Sequence, residues 1–442
     1  MSQITAGHDH GNGASHAHGA QDAHGHAEAP YVAARRKLDL SRLVPGAGFA
    51  RPVWAGLLFL GVVGLAVTLF GAFSTGPNGK THALTAYHMG FLYVLGIALG
   101  SLGIVLIFQQ FNAGWSASVR RQAETIASLM PIVLLLFIPV VVIEVGFTHG
   151  ALFSWMNAEH TAGDPVFAAK SGYLNVSFWL VRAAIYFAIW IGLGAALYRL
   201  SRKQDQTGDR WLTARARWVS SFGLLLFALS TAFASFDWLM SLDYHWFSTM
   251  FGVYFFAGSV VCALSVLIMI LVSLRASGRM GPCFTAEHQH DLGKLLLSFT
   301  IFWAYVTFCQ YFLIWYSNIP EEAAFYNLRK DGGYMPLFVL LCFGHFLVPF
   351  LVLLFRDVKR STLMLRLVAV WMLIMHGCDL FFMVRPIVKS VPVGEHIWID
   401  VFGILGPVSL FLGLVVWKMG RAPLVPIKDP RLDELLAHKN YV

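Results

Sequence analysis

The chain has 442 residues, of which 57% are hydrophobic and only 13% are charged. Soluble globular proteins carry about a quarter charged residues, so this composition excludes a soluble enzyme, a nucleic-acid-binding protein and a disordered scaffold. In a chain this apolar, the net charge of +8 is first a signal of membrane topology. The sequence therefore predicts an integral membrane protein.

Continuous apolar windows of about twenty residues predict transmembrane helices. In chain order the candidates are roughly 51–73, 83–111, 122–147, 172–199, 217–240, 246–274, 293–316, 333–355, 362–386 and 396–419. Apolar residues follow one another throughout each run and do not alternate with polar ones as in a membrane β-strand. The predicted fold class is therefore an all-α bundle of about ten transmembrane helices. Three domains are predicted: a His-rich disordered tail at 1–40, a membrane domain at 41–420 and a second tail at 421–442.

Lysine and arginine are distributed unevenly between the predicted connections. The side that holds both termini carries 24 of them and the opposite side carries 6. Cytoplasmic segments of membrane proteins are enriched in these residues. The bias predicts a multi-pass membrane protein with both termini in the cytoplasm.

The five cysteines form no CxxC, CxxCH or ferredoxin-type motif. The sequence therefore predicts no metal centre and no covalent haem held by this chain. Coordination of a b-type haem by His88, His345 or His376 is a less favoured alternative, because no predicted helix carries two histidines at a wide spacing.

Ionisable residues inside a membrane are costly and are functional candidates by default. Most of them lie in the predicted outer half of the spans, where they are expected to line a polar cavity that conducts protons or water. Arg182 needs a counter-charge, for which Glu144 and Asp379 are nearest in predicted depth. The alternative is that these residues only pair with one another and have a structural role. The candidates are Glu144, His149, Arg182, Asp237, His376, Asp379, His88, His345 and Asp400.

Three stretches carry a resemblance to a known family. They read FDWLMSLDYHWFSTMFG at 236–252, YSNIPEE at 316–322 and PLVPIKDPRLDELLAHKN at 423–440. Together with ten spans, they resemble the ActF-type membrane subunit of bacterial alternative complex III, within the NrfD/polysulfide-reductase membrane family. That complex is a quinol:electron-acceptor oxidoreductase, and the resemblance implies that this chain lies in the bacterial inner (cytoplasmic) membrane.

The resemblance implies two four-helix bundles, spans 2–5 and 6–9, with spans 1 and 10 flanking them. It also implies several partners: a sister NrfD-like quinol-binding subunit, an iron–sulfur protein, multihaem and monohaem cytochromes c, small membrane subunits and a terminal oxidase. Haem c and iron–sulfur clusters are expected on those partners, and quinone binding by this chain stays open.

The favoured interpretation is a subunit without its own redox cofactor that contributes to assembly and to an outer-half proton pathway. A second quinol-binding subunit of the same complex is the nearest alternative. A secondary transporter is the alternative from another class, although no span has an evident unwound, Gly-rich segment.

Overall fold

The computed structural model describes residues 39–46 and 48–440. Within these residues, ten helices are long and apolar enough to cross a membrane, and no β-strand occurs. The predicted all-α membrane architecture is therefore confirmed, while the predicted His-rich tail lies outside the described residues apart from its last positions. The ten spans are Arg51–Ser74, Gly79–Gln110, Gly114–Thr148, Val176–Thr207, Trp211–Asp243, Phe251–Ala276, Gly281–Ser317, Met335–Leu354, Thr362–Ile387 and Ile397–Met419.

The spans form two four-helix bundles with two flanking helices. Spans 2–5 pack together, spans 6–9 pack together, and spans 2 and 6 meet at the interface between the bundles. These two central helices are the most deeply buried, with 94% and 83% of their apolar windows inside the protein. Spans 1 and 10 pack against each other, and both contact span 2.

The contact between the two flanking helices depends on small residues. A Cβ atom at Gly64 would lie 2.8 Å from the Cα atom of Gly406, so the two backbones touch there. Such an approach gains van der Waals contact that lipid cannot match. The far side of span 1 exposes Phe59, Phe70 and Phe73, which suits a helix that faces acyl chains.

Two spans contain a π-helical turn. Glu144–Thr148 ends span 3, and Leu341–Leu347 interrupts span 8 between Met335–Leu340 and Val348–Leu354. Pro349 follows the second turn and has no N–H to donate to it, which favours a wider turn at that point. Turns of this kind occur frequently at functional sites, and this one places His345 inside the second bundle.

The two ends of the protein differ in construction. We call the end that carries residues 39–46 and 420–440 the terminal face and the opposite end the distal face. The distal face has three short helices: Ala158–Thr161, Pro165–Lys170 and the distal loop helix, Pro320–Asp331. Leu40–Leu43, Arg356–Arg360 and the tail helix, Leu432–Ala437, lie at the terminal face.

A buried ion-pair network joins the carboxyl-terminal segment to the terminal face. Arg120 pairs with Glu124 at 3.2 Å and also with Asp429, and Arg431 pairs with Asp429 at 3.0 Å. Burial alone would raise the pKa of Asp429, but Arg120 and Arg431 hold it well below its usual range. The segment predicted as a separate tail is thus part of the packed structure.

Candidate functional site

The central ion pair of the first bundle joins spans 4 and 5. Arg182 donates from Nε and Nη2 to the two carboxylate oxygens of Asp237, at 2.8 and 2.7 Å. Tyr186 donates to the same carboxylate at 2.8 Å, and Arg182 donates to the Tyr173 carbonyl at 2.8 Å. Both members of the pair are buried. The counter-charge of Arg182 is therefore Asp237, and the expectation that Glu144 or Asp379 fills this role is wrong.

Glu144 has a different set of partners. Its Oε1 accepts from the backbone N–H groups of Leu152 and Phe153, both at 2.9 Å, and its Oε2 accepts from the Thr148 hydroxyl at 3.0 Å. The carboxylate is fully buried and fastens the loop that follows span 3. His149 ends the π turn in a left-handed conformation with φ of 43°, and its side chain is exposed.

His88 and Asp400 are also held by nearby groups. The His88 Nε2 lies 2.8 Å from the Trp238 carbonyl. Asp400 lies 3.0 Å from the His82 Nε2 and 3.4 Å from the Arg385 Nε. These contacts tie spans 5, 9 and 10 to span 2, so both residues have a structural explanation.

The second bundle holds a pocket of about 400 Å³ between spans 6, 7, 8 and 9. Its walls are mainly apolar and aromatic, and two of its lining residues, Tyr305 and Phe308 of span 7, are each 62% exposed. The lining residues are Tyr254, Ile301, Trp303, Ala304, Tyr305, Thr307, Phe308, Gln310, Tyr311, Tyr326, Phe338, Leu341, Cys342, Phe346, Asp379, Phe382 and Met383. Because the exposed rings belong to a membrane-spanning helix, this side of the pocket faces the region that lipid would occupy. We call this cavity the Asp379 pocket.

A few polar groups converge on the Asp379 pocket. The Tyr254 hydroxyl donates to the Asp379 carboxylate, and both side chains are buried. The Gln310 amide donates to the Tyr326 hydroxyl at 3.3 Å and accepts from the Ser248 hydroxyl at 3.1 Å. Ser248 belongs to the connection after span 5, so this chain of polar groups leads towards the distal face.

Two buried histidines lie behind the pocket. The His345 ring stacks on the Trp303 indole with centroids 3.9 Å apart. His376 precedes Asp379 by one turn, and a Cβ atom at Gly258 would lie 3.5 Å from the His376 ring and 3.7 Å from Trp303. Within the described residues, neither nitrogen of either histidine has a hydrogen-bond partner, nor has the Trp303 Nε1. Buried polar groups normally have partners, so this cluster has unused capacity for hydrogen bonding.

The predicted site residues thus divide between three places. His376, Asp379 and His345 come together around one pocket, whereas Glu144, Arg182, Asp237 and His88 lie in the first bundle, and His149 and Asp400 lie elsewhere on the distal side. The single cavity expected from predicted depth is not formed.

Sequence reasoning missed Tyr254 and Trp303. Their residue types gave no signal, since tyrosine and tryptophan are common throughout these spans. Only the packing of span 6 against span 9 brings the Tyr254 hydroxyl to Asp379.

No three His, Cys, Asp or Glu side chains within residues 39–46 and 48–440 are grouped as metal ligands would be. No protein-family model matches the chain, and no curated protein shows significant similarity to it.

Proposed function

We propose that this chain is an integral membrane subunit of a quinol-oxidising respiratory complex and that the Asp379 pocket binds the quinol headgroup. The observation that carries the proposal is an apolar pocket, open to the side, that contains the hydrogen-bonded Asp379–Tyr254 pair. Ligand sites typically combine apolar walls with a few well-placed polar groups. A quinol has a matching structure, since an apolar ring carries two hydroxyls and an isoprenoid chain that can remain in lipid.

The residues of the pocket suit the proton chemistry of quinol oxidation. Asp379 would accept a hydroxyl proton as a general base, while Tyr254 holds its carboxylate in place. Tyr326, Gln310 and Ser248 are hydrogen-bonded to one another and would line the route of that proton towards the distal face. Electrons would leave to the iron–sulfur clusters and c-type haems that the resemblance implies on partner subunits.

The resemblance to the ActF-type subunit supplies the setting of this proposal. The same resemblance supports a location in the bacterial inner membrane, and the uneven distribution of lysine and arginine supports cytoplasmic termini. The distal face would then be the outer face, and protons from the quinol would be released outside. An outer-half proton pathway without quinol binding is the second candidate, and the hydrogen-bonded groups Tyr326, Gln310 and Ser248 beside the pocket favour it.

Two measurements test the proposal. The chain is purified in mild detergent through an amino-terminal tag, because residues 423–440 pack against the bundle. Co-purification of a second NrfD-like chain and an iron–sulfur protein, with haem c absorbance, is the expected result. A colourless, solitary chain would overturn the proposal and favour a transporter.

Photolabelling of the intact complex with an azido-quinone then separates the two candidates. Labelling of residues on spans 6–9 of this chain supports a quinol site. Labelling confined to the sister subunit would exclude the site and leave the proton pathway.

A further inference from the structure

A second cavity, of about 320 Å³, lies at the distal end of the second bundle. It is bounded by spans 7 and 8, by Phe382 of span 9 and by the distal loop helix. Tyr311, Tyr326, Phe338 and Phe382 line both this cavity and the Asp379 pocket, so the two adjoin. We call it the distal cavity; Asp379 and Tyr254, which carry the quinol proposal, are not among its lining residues.

Arg329 contributes a buried positive charge to the wall of the distal cavity. The residue is 4% exposed, and it donates to the carbonyls of Phe325, Phe382 and Met383 at 2.7, 3.0 and 2.8 Å. Burial lowers the pKa of this guanidinium to about 10. Within the part of the chain that the structure describes, no carboxylate lies within ion-pair distance of it, although Asp243 acts on it from farther away.

The end of span 9 compensates only part of this charge. Phe382 and Met383 are in the last turn of the helix Thr362–Val384, where the carbonyls carry a partial negative charge equivalent to about half an elementary charge. The guanidinium has more N–H groups than the three that these contacts use. A further anionic acceptor would therefore improve both its charge balance and its hydrogen bonding.

The rest of the wall has the character of an amphiphile site. Lys330 is the other charged residue of the wall, and no carboxylate lines the cavity within the described residues. The amides of Asn318 and Asn327 add polar groups, whereas Ile314, Trp315, Tyr311, Phe338 and Phe382 supply apolar surface. Trp315 is 63% exposed on the outside of span 7, and exposed tryptophans mark the level of lipid headgroups.

We propose that the distal cavity binds a phospholipid, with its phosphate at Arg329 and Lys330 and an acyl chain against the aromatic surface of spans 7 and 8. A charged phosphate gains from an unpaired guanidinium through charge-assisted hydrogen bonds, whereas a neutral quinol gains far less. The apolar wall adds affinity for an acyl chain, which free phosphate does not have. Lipids with a net negative headgroup are preferred over zwitterionic ones.

The test uses the purified full chain in nanodiscs of phosphatidylcholine alone or of equal parts phosphatidylcholine and phosphatidylglycerol. Native mass spectrometry of the protein after its release from the nanodiscs measures the lipid that it retains, and a thermal melt measures its Tm. We expect wild type to retain phosphatidylglycerol and to melt higher in the mixed discs. Lys330→Gln should weaken retention on the order of tenfold, the size of one charge-assisted bond.

Lys80→Gln is the matched control, because Lys80 is an exposed lysine at the distal face away from this cavity; it should behave as wild type. Equal retention by Lys330→Gln and wild type would overturn the proposal. The proposal would also be overturned if inorganic phosphate raised the Tm of delipidated protein as much as the lipid does. Displacement of the retained lipid by a short-chain quinone would overturn it as well. Arg329→Lys, which keeps the charge and loses the planar fork, should retain less lipid than wild type.

Discussion

Arg182 and Asp237 form a two-point ion pair between spans 4 and 5, with nitrogen–oxygen distances of 2.8 and 2.7 Å. The arginine also lies over the Tyr173 ring, with its Cζ 3.8 Å from the centroid. Every one of these groups is fixed by another, so the pair holds the distal half of the first bundle together and is not available as a mobile proton carrier.

Breaking this pair should destabilise the protein strongly. Asp237→Asn leaves a buried guanidinium without its counter-charge, and the free energy of unfolding should fall by about 3 kcal/mol. Chemical unfolding in detergent measures the change. Asp243→Asn serves as the control, because Asp243 is partly exposed in the following turn. The double variant Arg182→Met/Asp237→Leu should recover part of the loss, and its failure to do so would argue against a simple pairing role.

The Asp379–Tyr254 hydrogen bond should control quinol affinity. Tyr254→Phe and Asp379→Asn are each expected to weaken binding of a short-chain quinol, whose hydroxyl would donate to the carboxylate, about tenfold, the effect of roughly 1.4 kcal/mol. Because the two groups bond each other, the double variant should lose less than the sum of both changes. Titration of the purified complex under reducing conditions, followed by quenching of its tryptophan fluorescence, measures affinity.

Tyr305→Phe is the matched control for that series, since Tyr305 lines the mouth of the same pocket with an exposed ring. It should bind the quinol as wild type does. Equal losses for Tyr254→Phe and Tyr305→Phe would contradict the assignment of Asp379 as the headgroup partner.

Glu144 should prove to be a structural residue. Glu144→Gln keeps a carbonyl oxygen for the Leu152 and Phe153 N–H groups, so stability and quinol turnover should stay close to wild type. Glu144→Ala leaves those buried donors without an acceptor, which costs about 2 kcal/mol. Thermal melts and turnover of the intact complex check this. Loss of turnover in a stable Glu144→Gln protein would instead place Glu144 on a proton route.

Asp429 should anchor the carboxyl-terminal segment. Asp429→Asn removes the counter-charge of Arg120 and Arg431, and we expect a loss of about 3 kcal/mol together with faster proteolysis after residue 420. Limited proteolysis and a thermal melt report the two effects. Lys428→Gln is the neighbouring control, because Lys428 is exposed and bonds only the Gln206 carbonyl among the described groups. Similar protease resistance in both variants would contradict the anchoring role.

The distal loop at Asp164 should lose stability in acid. Bonds from Tyr244, from the backbone of Val166 and Phe167 and from His245 hold the pKa of Asp164 at about 2. The folded pKa lies below the unfolded value of about 3.9, so this stabilisation is complete above roughly pH 4 and is lost as the pH falls towards 2. The difference in Tm between wild type and Asp164→Asn should therefore shrink on acidification. A constant difference from pH 6 to about pH 3 would contradict this pKa.

Much of the fold could be predicted from the sequence because a membrane span is a local property. An apolar run such as 251–276 must form a helix in lipid, where every backbone group needs an internal partner. The number of spans and their approximate ends follow from this requirement. The small displacement of some ends, such as span 7 beginning at Gly281, arises where helices continue beyond the apolar run.

The candidate site was only partly predictable, because depth along a span does not fix which way a side chain points. Asp379 is nearer than Asp237 to Arg182 in predicted depth, yet Arg182 pairs with Asp237 and Asp379 pairs with Tyr254. Their partners depend on helix rotation and on which helices are neighbours. The π turn in span 8, which turns His345 inwards, has Pro349 as its local cause but no signature in hydropathy.

The sequence by itself determined that this protein is a ten-span helical bundle with a strong difference in charge between its two faces. Both properties follow from composition within windows of about twenty residues. Only the tertiary structure decided that Arg182 binds Asp237, that Asp379 and the two histidines share a pocket, and that Arg329 is left without a carboxylate partner among the described residues. Those outcomes depend on contacts between helices that are distant in sequence. Side-chain packing determines these contacts, and they cannot be derived from hydropathy.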